Sequence, residues 1–130
     1  MARISAPPLP RPDRAGAAEV VSKAVVRAGE QLGLKNVTLA SVLGISPSTA
    51  SRLRDGGHVL GLDSKPYELA LLLIRLFRGL DAMMGGEGEP ARSWMTVPNR
   101  ALGGVPMELI TSVTGLVETV AYVDTARARL

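Results

Sequence analysis

A long apolar segment, residues 66–84, constrains the fold of this chain more than any other feature. Its large side chains recur three or four positions apart, which is the spacing of one helix face. Leu71 and Ile74 extend that face almost all the way round, and such a helix must be buried on most sides. In a chain of 130 residues this predicts central placement or a dimer interface. The residues assigned to dimerisation are Leu69, Leu72, Leu73, Leu76, Phe77 and Leu80.

The composition restricts the core to aliphatic side chains. Hydrophobic residues make up 46% of the chain and aromatic residues only 3%, and there is no cysteine. Such a core is typical of helical bundles, and strand patterns are almost absent, so we predict an all-α fold. Without cysteine, disulfides and thiolate metal sites are excluded, which agrees with a reducing compartment.

No segment has the pattern of a signal peptide or a membrane span. The prolines near the N-terminus replace the apolar stretch that a signal peptide requires. The most apolar run, residues 69–74, ends at Arg75 and is far shorter than the roughly 20 residues of a membrane span. We therefore expect a cytoplasmic protein that does not contact a membrane.

Positive charge is concentrated in the first half of the sequence. Residues 1–61 contain eight Lys or Arg against four Asp or Glu, whereas residues 62–130 contain seven against eight. A basic N-terminal half favours a polyanionic partner for that half alone. Because the asymmetry is small enough to arise by chance, it supports such a partner only together with a motif.

The segment 39–54 carries the sharpest motif. Two short helices are predicted, over 39–43 and 47–55, separated by Gly44-Ile45-Ser46. Gly44 permits the positive φ of a tight turn. Ser46 is a good N-cap, and the proline after it suits the first helical position, so the second helix starts abruptly. This pattern predicts a helix-turn-helix.

The outward face of the second helix carries small hydroxyl side chains and arginines. In a helix-turn-helix the N-terminal part of this helix enters the major groove of DNA. There Arg52 can bond guanine twice or pair with phosphate, whereas Arg54 and Lys35 are placed for backbone contact. The alternative is a helical hairpin with a solvated face, although ordinary helix surface is richer in Glu, Lys and Ala. The predicted DNA-binding residues are Lys35, Ser46, Ser48, Thr49, Ser51, Arg52 and Arg54.

This motif resembles the helix-turn-helix of the Xre family of repressor-like proteins. The matching features are the small residue Ala40, the glycine Gly44 four positions later and the apolar residue Ala50 six positions after that. The resemblance implies that the segment is a DNA-binding module.

Residues 91–124 have the composition of a constrained structural unit. Trp94, the only tryptophan, is the expected anchor. Asn99 can cap the following turn through its side chain. Gly103-Gly104 allows the chain to reverse before a proline restarts a helix. Gly115 is expected to let two backbones approach closely inside the last helix.

The same region resembles the toxin-binding domain of Xre/MbcA/ParS-type antitoxins. The shared pattern falls on Trp94, Pro98, Asn99, Leu102, Gly103, Gly104, Pro106, Leu109, Gly115 and Val120. The resemblance implies a RES-domain toxin partner that consumes NAD and is typically encoded next door. It also implies a homodimer, a higher-order complex with the toxin, and repression of the operon's own promoter. Family members often finish with a glycine, whereas this chain ends Ala-Arg-Ala-Arg-Leu.

The last helix and the C-terminal tail are the hypothetical inhibitory element. Their outward side chains, those of Tyr122, Asp124, Arg127 and Arg129, would lie against the cleft of the toxin and block its nucleotide site. The alternative is that these charges are merely solvated helix surface. The predicted toxin-binding residues are Trp94, Asn99, Arg100, Tyr122, Asp124, Arg127 and Arg129.

These patterns together divide the chain into four parts. Residues 1–12 contain four prolines and are expected to be a disordered arm. Residues 13–62 form the helix-turn-helix domain, opened by a helix with Asp13 as its cap. The central helix and its approach occupy 63–86, and a small helical toxin-binding domain occupies 87–130.

Catalytic motifs are missing from the sequence. His58 is the only histidine and has no metal-ligand partner nearby in sequence, so we interpret it as a bystander. The glycine-rich stretch 85–88 lacks the lysine of a phosphate loop and is read as a hinge. We therefore expect no enzyme, metal or cofactor. The competing functions are a stand-alone Xre-type repressor with a C-terminal dimerisation domain, and an interaction module whose helix-turn-helix no longer binds DNA.

Overall fold

The structure, a computed structural model, describes residues 14–86 and 88–130. Within these ranges the chain forms α1 (Arg14–Gln31), α2 (Asn36–Leu43), α3 (Pro47–Arg54), α4 (Lys65–Met84), α5 (Glu89–Thr96), α6 (Pro106–Leu109) and α7 (Val113–Ala128). The only strand-like pairing in the same ranges is a single bridge between Asn99 and Gly104. The predicted all-α fold is therefore confirmed. The predicted arm and the predicted cap Asp13 lie outside the described residues.

The helix ends follow local capping chemistry. Ser64 caps α4 by accepting a hydrogen bond from the N–H of Tyr67 at 3.3 Å, and Pro66 lies in the first turn of the helix. α2 begins three residues before its predicted start because the N–H of Leu39 already donates to the carbonyl of Lys35 at 2.9 Å. α3 and α4 lie within one residue of their predicted bounds, 47–55 and 66–84.

α4 lies at the centre of the fold. It packs against α1 and α7 and also contacts α2 and α5. Leu73, Leu76 and Leu80 have no exposed surface, and burial of each such side chain contributes roughly 1.5–3 kcal/mol. The structure therefore places α4 centrally within the chain, which is one of the two settings that the sequence predicts for this helix. No helix in the described ranges is long and apolar enough to cross a bilayer.

The six leucine and phenylalanine residues assigned to dimerisation fall into two groups. Leu73, Leu76 and Leu80 are enclosed by helices of their own chain, which leaves them no surface for a second copy. The other three are partly buried and pack at the edge of the core: Leu69, Leu72 and Phe77. Dimerisation itself stays a prediction.

Two glycines allow close packing against α7. At Gly79 in α4, an added Cβ would lie 2.6 Å from Val123 Cγ1. At Gly115, an added Cβ would overlap the carbonyl oxygen of Leu109 and lie 2.7 Å from the carbonyl carbon. The predicted close approach of two backbones at Gly115 is therefore confirmed: the end of α6 lies directly against the first turn of α7.

Gly115→Ala is expected to lower the free energy of unfolding by about 1–3 kcal/mol, because the new methyl group must displace the backbone at Leu109. Gly29→Ala is a matched control, since Gly29 is also helical and an added Cβ there meets nothing closer than Leu39 Cδ1 at 3.5 Å. Helix propensity favours alanine at that position by up to about 1 kcal/mol. Urea denaturation followed by circular dichroism measures both variants, and equal stabilities would contradict the close contact.

Candidate functional site

The turn between α2 and α3 has the predicted geometry. Gly44 has a φ of 69°, in the left-handed region that favours glycine. The N–H of Ile45 donates to the carbonyl of Ala40 at 3.0 Å, and the Ile45 side chain packs against the core. Ala50 and Leu53 are buried on the inner side of α3. The two helices therefore form a helix-turn-helix with the polar side of α3 at the surface.

A chain of hydroxyl groups at the start of α3 leads to Arg52. Ser46 caps the helix by accepting a hydrogen bond from the N–H of Thr49 at 3.1 Å, and its hydroxyl donates to Thr49 Oγ1 at 2.8 Å. Ser48 Oγ lies 3.1 Å from Ser46 Oγ. Arg52 Nη2 donates to Thr49 Oγ1 at 3.1 Å. The guanidinium of Arg52 is therefore held toward the leading end of α3, where a helix-turn-helix meets base edges.

The other three residues assigned to DNA binding lie in different settings. Lys35 is exposed just before α2, and Ser51 is half-buried in α3. Arg54 is also half-buried, and its Nη2 donates to the carbonyl of Leu34 at 3.2 Å. Arg54 Nε is buried and has no hydrogen-bond partner among the described residues. Arg54 therefore ties the end of α3 to the loop between α1 and α2.

Two further polar residues, not singled out from the sequence, join distant segments. Ser22 is buried in α1 and accepts a hydrogen bond from the N–H of Leu60 at 2.9 Å, which fixes the loop before α4. Arg92 of α5 donates to the carbonyl of Gln31 at 3.4 Å and pairs with Glu89 at 2.9 Å. Because the last carbonyls of a helix lack partners within it, Arg92 stabilises the end of α1.

The turn after α5 is built around Asn99, as predicted. Asn99 Oδ1 accepts a hydrogen bond from the N–H of Leu102 at 3.0 Å, and the Asn99 N–H donates to the carbonyl of Gly104 at 2.8 Å. Gly103 has a φ of 78° and allows the reversal. The side chain of Asn99 is thus committed to the turn, while its neighbour Arg100 is exposed.

The aromatic anchor joins α5 to α7. The rings of Trp94 and Tyr122 stack with centroids 6.4 Å apart and an interplanar angle of 22°, an arrangement that stabilises aromatic pairs. Both side chains are half-buried. The expectation that Tyr122 points outward therefore needs correction, because its ring packs against the only tryptophan.

Asp124 is likewise engaged within the chain. Its carboxylate pairs with Arg75 of α4, with Oδ2 at 2.9 Å from Nη2 and Oδ1 at 3.3 Å from Nε. Arg127 and Arg129, by contrast, are exposed at the end of α7. The predicted outward set is thus reduced to these two arginines, because Asp124 forms a two-point ion pair with the central helix.

His58 lies half-buried beside a shallow pocket lined also by Glu19, Ser22 and Lys23. Across residues 14–86 and 88–130, no group of three His, Cys, Asp or Glu side chains could hold a metal ion. The described residues thus offer His58 no set of metal-binding neighbours.

The different settings of Arg52 and Arg54 give a stability test. Arg54→Ala is expected to lower the free energy of unfolding by about 1–3 kcal/mol, because the carbonyl of Leu34 loses its partner. Arg52→Ala should change it by less than about 0.5 kcal/mol, because Arg52 is exposed and its guanidinium bonds Thr49 of its own helix rather than a distant segment. Urea denaturation measures both variants. A larger loss in Arg52→Ala would contradict the structural role of Arg54.

Two family models match the sequence. The antitoxin Xre-like helix-turn-helix domain matches residues 11–75. The antitoxin Xre/MbcA/ParS C-terminal toxin-binding domain matches residues 77–129. No curated protein is similar enough to the chain to count as a relative. The two matches together cover the helix-turn-helix, the central helix and the Asn99 turn, and the chain belongs to the Xre/MbcA/ParS-type antitoxins.

Proposed function

We propose that this antitoxin neutralises a RES-family toxin that consumes NAD, and that it binds its own operator to regulate the pair. The observation that carries the proposal is the place where the two family matches meet, between residues 75 and 77. This place lies inside α4, so one continuous helix belongs to both domains. We propose that this helix joins operator binding by the first domain to toxin binding by the second.

The helix-turn-helix supports operator binding through its charge and its geometry. The leading end of α3 presents small hydroxyls, which allow close approach to a groove, and an arginine that Thr49 holds in place. A guanidinium fixed in this way can bond the O6 and N7 atoms of guanine. We propose that a homodimer places two such helices on successive half-sites about one helical turn apart.

Arg52→Ala is expected to weaken operator binding by about 5- to 150-fold, which corresponds to the roughly 1–3 kcal/mol of one bidentate arginine–guanine contact. Electrophoretic mobility shift with the native promoter measures the change. Arg100→Ala is the control, because it also removes one exposed positive charge but lies outside the helix-turn-helix. Unchanged operator affinity in the Arg52→Ala variant would show that Arg52 does not contact the DNA bases.

The end of α7 supports the proposed inhibition of the toxin. α7 ends at Ala128, and Arg127, Arg129 and Leu130 at its end are exposed. Leu130 is 84% exposed. Val123 and Asp124, just before them, are engaged with the core and with α4. We propose that the exposed tail, residues 127–130, enters the toxin's cleft and blocks its nucleotide site.

Removal of residues 127–130 is expected to abolish growth protection when the antitoxin is co-expressed with the RES-domain protein of the neighbouring gene. The truncated chain should keep its fold, because Val123 and Asp124 remain, and circular dichroism checks this point. It should also still co-purify with the toxin, because the rest of the domain is intact. Cellular NAD should then fall as it does with the toxin alone. Full protection by the truncated antitoxin would show that the tail is not the inhibitory element.

The same co-expression tests the proposed function as a whole. The full chain is expected to co-purify with the neighbouring RES-domain protein and to rescue growth. A stand-alone repressor would bind the promoter but neither co-purify with that protein nor rescue growth, and this outcome would overturn the proposed antitoxin role.

A further inference from the structure

A groove between α1 and α4 combines an apolar floor with positive charge. The apolar floor is formed by Val20 and Ala24 of α1 and by Ile74 and Phe77 of α4. Val20 is 66% exposed, so the apolar floor is open to a partner. The groove is bordered by the cations Lys23, Arg27 and Arg78.

A second groove continues this surface on the other side of Arg78. It lies between α4 and α7 and is lined by Leu71, Ile74, Arg75, Arg78, Asp124 and Arg127. Leu71 is 45% exposed. Because Ile74 and Arg78 line both grooves, the two form one surface across three helices. We call it the α4 surface.

The charge of the α4 surface is strongly one-sided. It carries five cations and a single carboxylate, that of Asp124, which is already paired with Arg75 at 2.9 Å. Within residues 14–86 and 88–130, no carboxylate lies within 4.0 Å of the charged groups of Lys23, Arg27, Arg78 or Arg127. Glu19 lies four residues before Lys23, and both line a neighbouring pocket beside His58, but they form no ion pair within 4.0 Å. Glu30 and Asp81, three residues after Arg27 and Arg78, form no ion pair with them either. The cations are therefore available to an acidic partner.

We propose that the α4 surface docks an amphipathic helix of the toxin, one with an apolar stripe flanked by Asp and Glu. The toxin as partner rests on the proposed function. The floor of Val20, Phe77 and Leu71 fits the apolar stripe, and the bordering cations fit its carboxylates. Both matched domains contribute to the surface, α1 from the first and α7 from the second. The helix would lie next to the C-terminal tail, because Arg127 lines the surface and begins that tail.

Charge and polarity disfavour two other occupants. A second copy of this chain, placed symmetrically on the same surface, would bring its four unpaired cations against the same four, which is repulsive. DNA would satisfy the cations but would leave the exposed Val20 and Leu71 side chains without apolar partners. An amphipathic helix with acidic flanks would supply apolar side chains to the floor and carboxylates to the bordering cations.

The test is the affinity of the full-length double variant Arg27→Glu/Arg78→Glu for the purified RES-domain toxin, measured by biolayer interferometry. We expect a loss of at least about tenfold, because two attractive charges become repulsive. The matched control is Arg14→Glu/Lys65→Glu, which reverses one cation on each of the same two helices outside the surface. Arg14 and Lys65 form only exposed ion pairs, so toxin affinity should be unchanged and the fold retained.

Hydrogen exchange of the wild-type complex locates the partner segment. We expect protection of α1 around residues 20–27 and of α4 around residues 71–78, and protection of a helical toxin peptide rich in Asp and Glu. A protected toxin peptide with no acidic excess would overturn the proposal.

Three further outcomes separate the alternatives. If the wild type binds the toxin and the double variant binds it equally well, the docking surface is wrong while the antitoxin function stands. If the wild type binds no toxin, the proposed function fails and this inference fails with it. If the double variant instead loses operator affinity or changes the oligomeric state of the free protein, the surface belongs to DNA or to a second copy.

Discussion

The packing of α4 against both α1 and α7 is the interaction on which the rest of this antitoxin depends. Leu73, Leu76 and Leu80 have no exposed surface, and truncating one such leucine to alanine removes about 2–5 kcal/mol. A domain of this size has only about 5–15 kcal/mol of stability. Neither α1, which supports the helix-turn-helix, nor α7 can therefore separate from α4 without a large fraction of the folding energy being lost. The helix-turn-helix and the toxin-binding domain therefore share one core.

Features set by neighbours along the chain could be predicted from the sequence. Ser46 caps α3, Gly44 takes a positive φ, and Asn99 caps its turn because each depends on residues at most five positions away. The close approach at Gly115 is also local, since Leu109 lies only six positions earlier in the chain. Helix positions followed from apolar spacing in the same way. Most of the fold is therefore encoded locally.

The parts of the site that could not be predicted depend on distant pairs. Arg54 bonds the carbonyl of Leu34 across 20 positions, and Asp124 pairs with Arg75 across 49. In the sequence a charged residue looks the same whether it is paired or exposed, so neither pairing is visible there. The stacking of Tyr122 on Trp94 is hidden for the same reason, because it depends on how α5 and α7 meet. Tertiary packing, which periodicity does not contain, decides which polar side chains remain available.

The order of charges along the sequence likewise does not show which cations share a surface in the fold. The excess of cations over residues 1–61 reads as one surface for a polyanion in the sequence, but the structure places these cations in different settings. Arg52 lies at the leading end of α3, whereas Lys23 and Arg27 border the α4 surface. Arg14 pairs with Asp63, and Arg54 bonds a backbone carbonyl. The near-neutral half also contributes Arg75, Arg78 and Arg127 to the α4 surface. A net charge summed along the chain therefore averages separate surfaces, and only the fold distinguishes them.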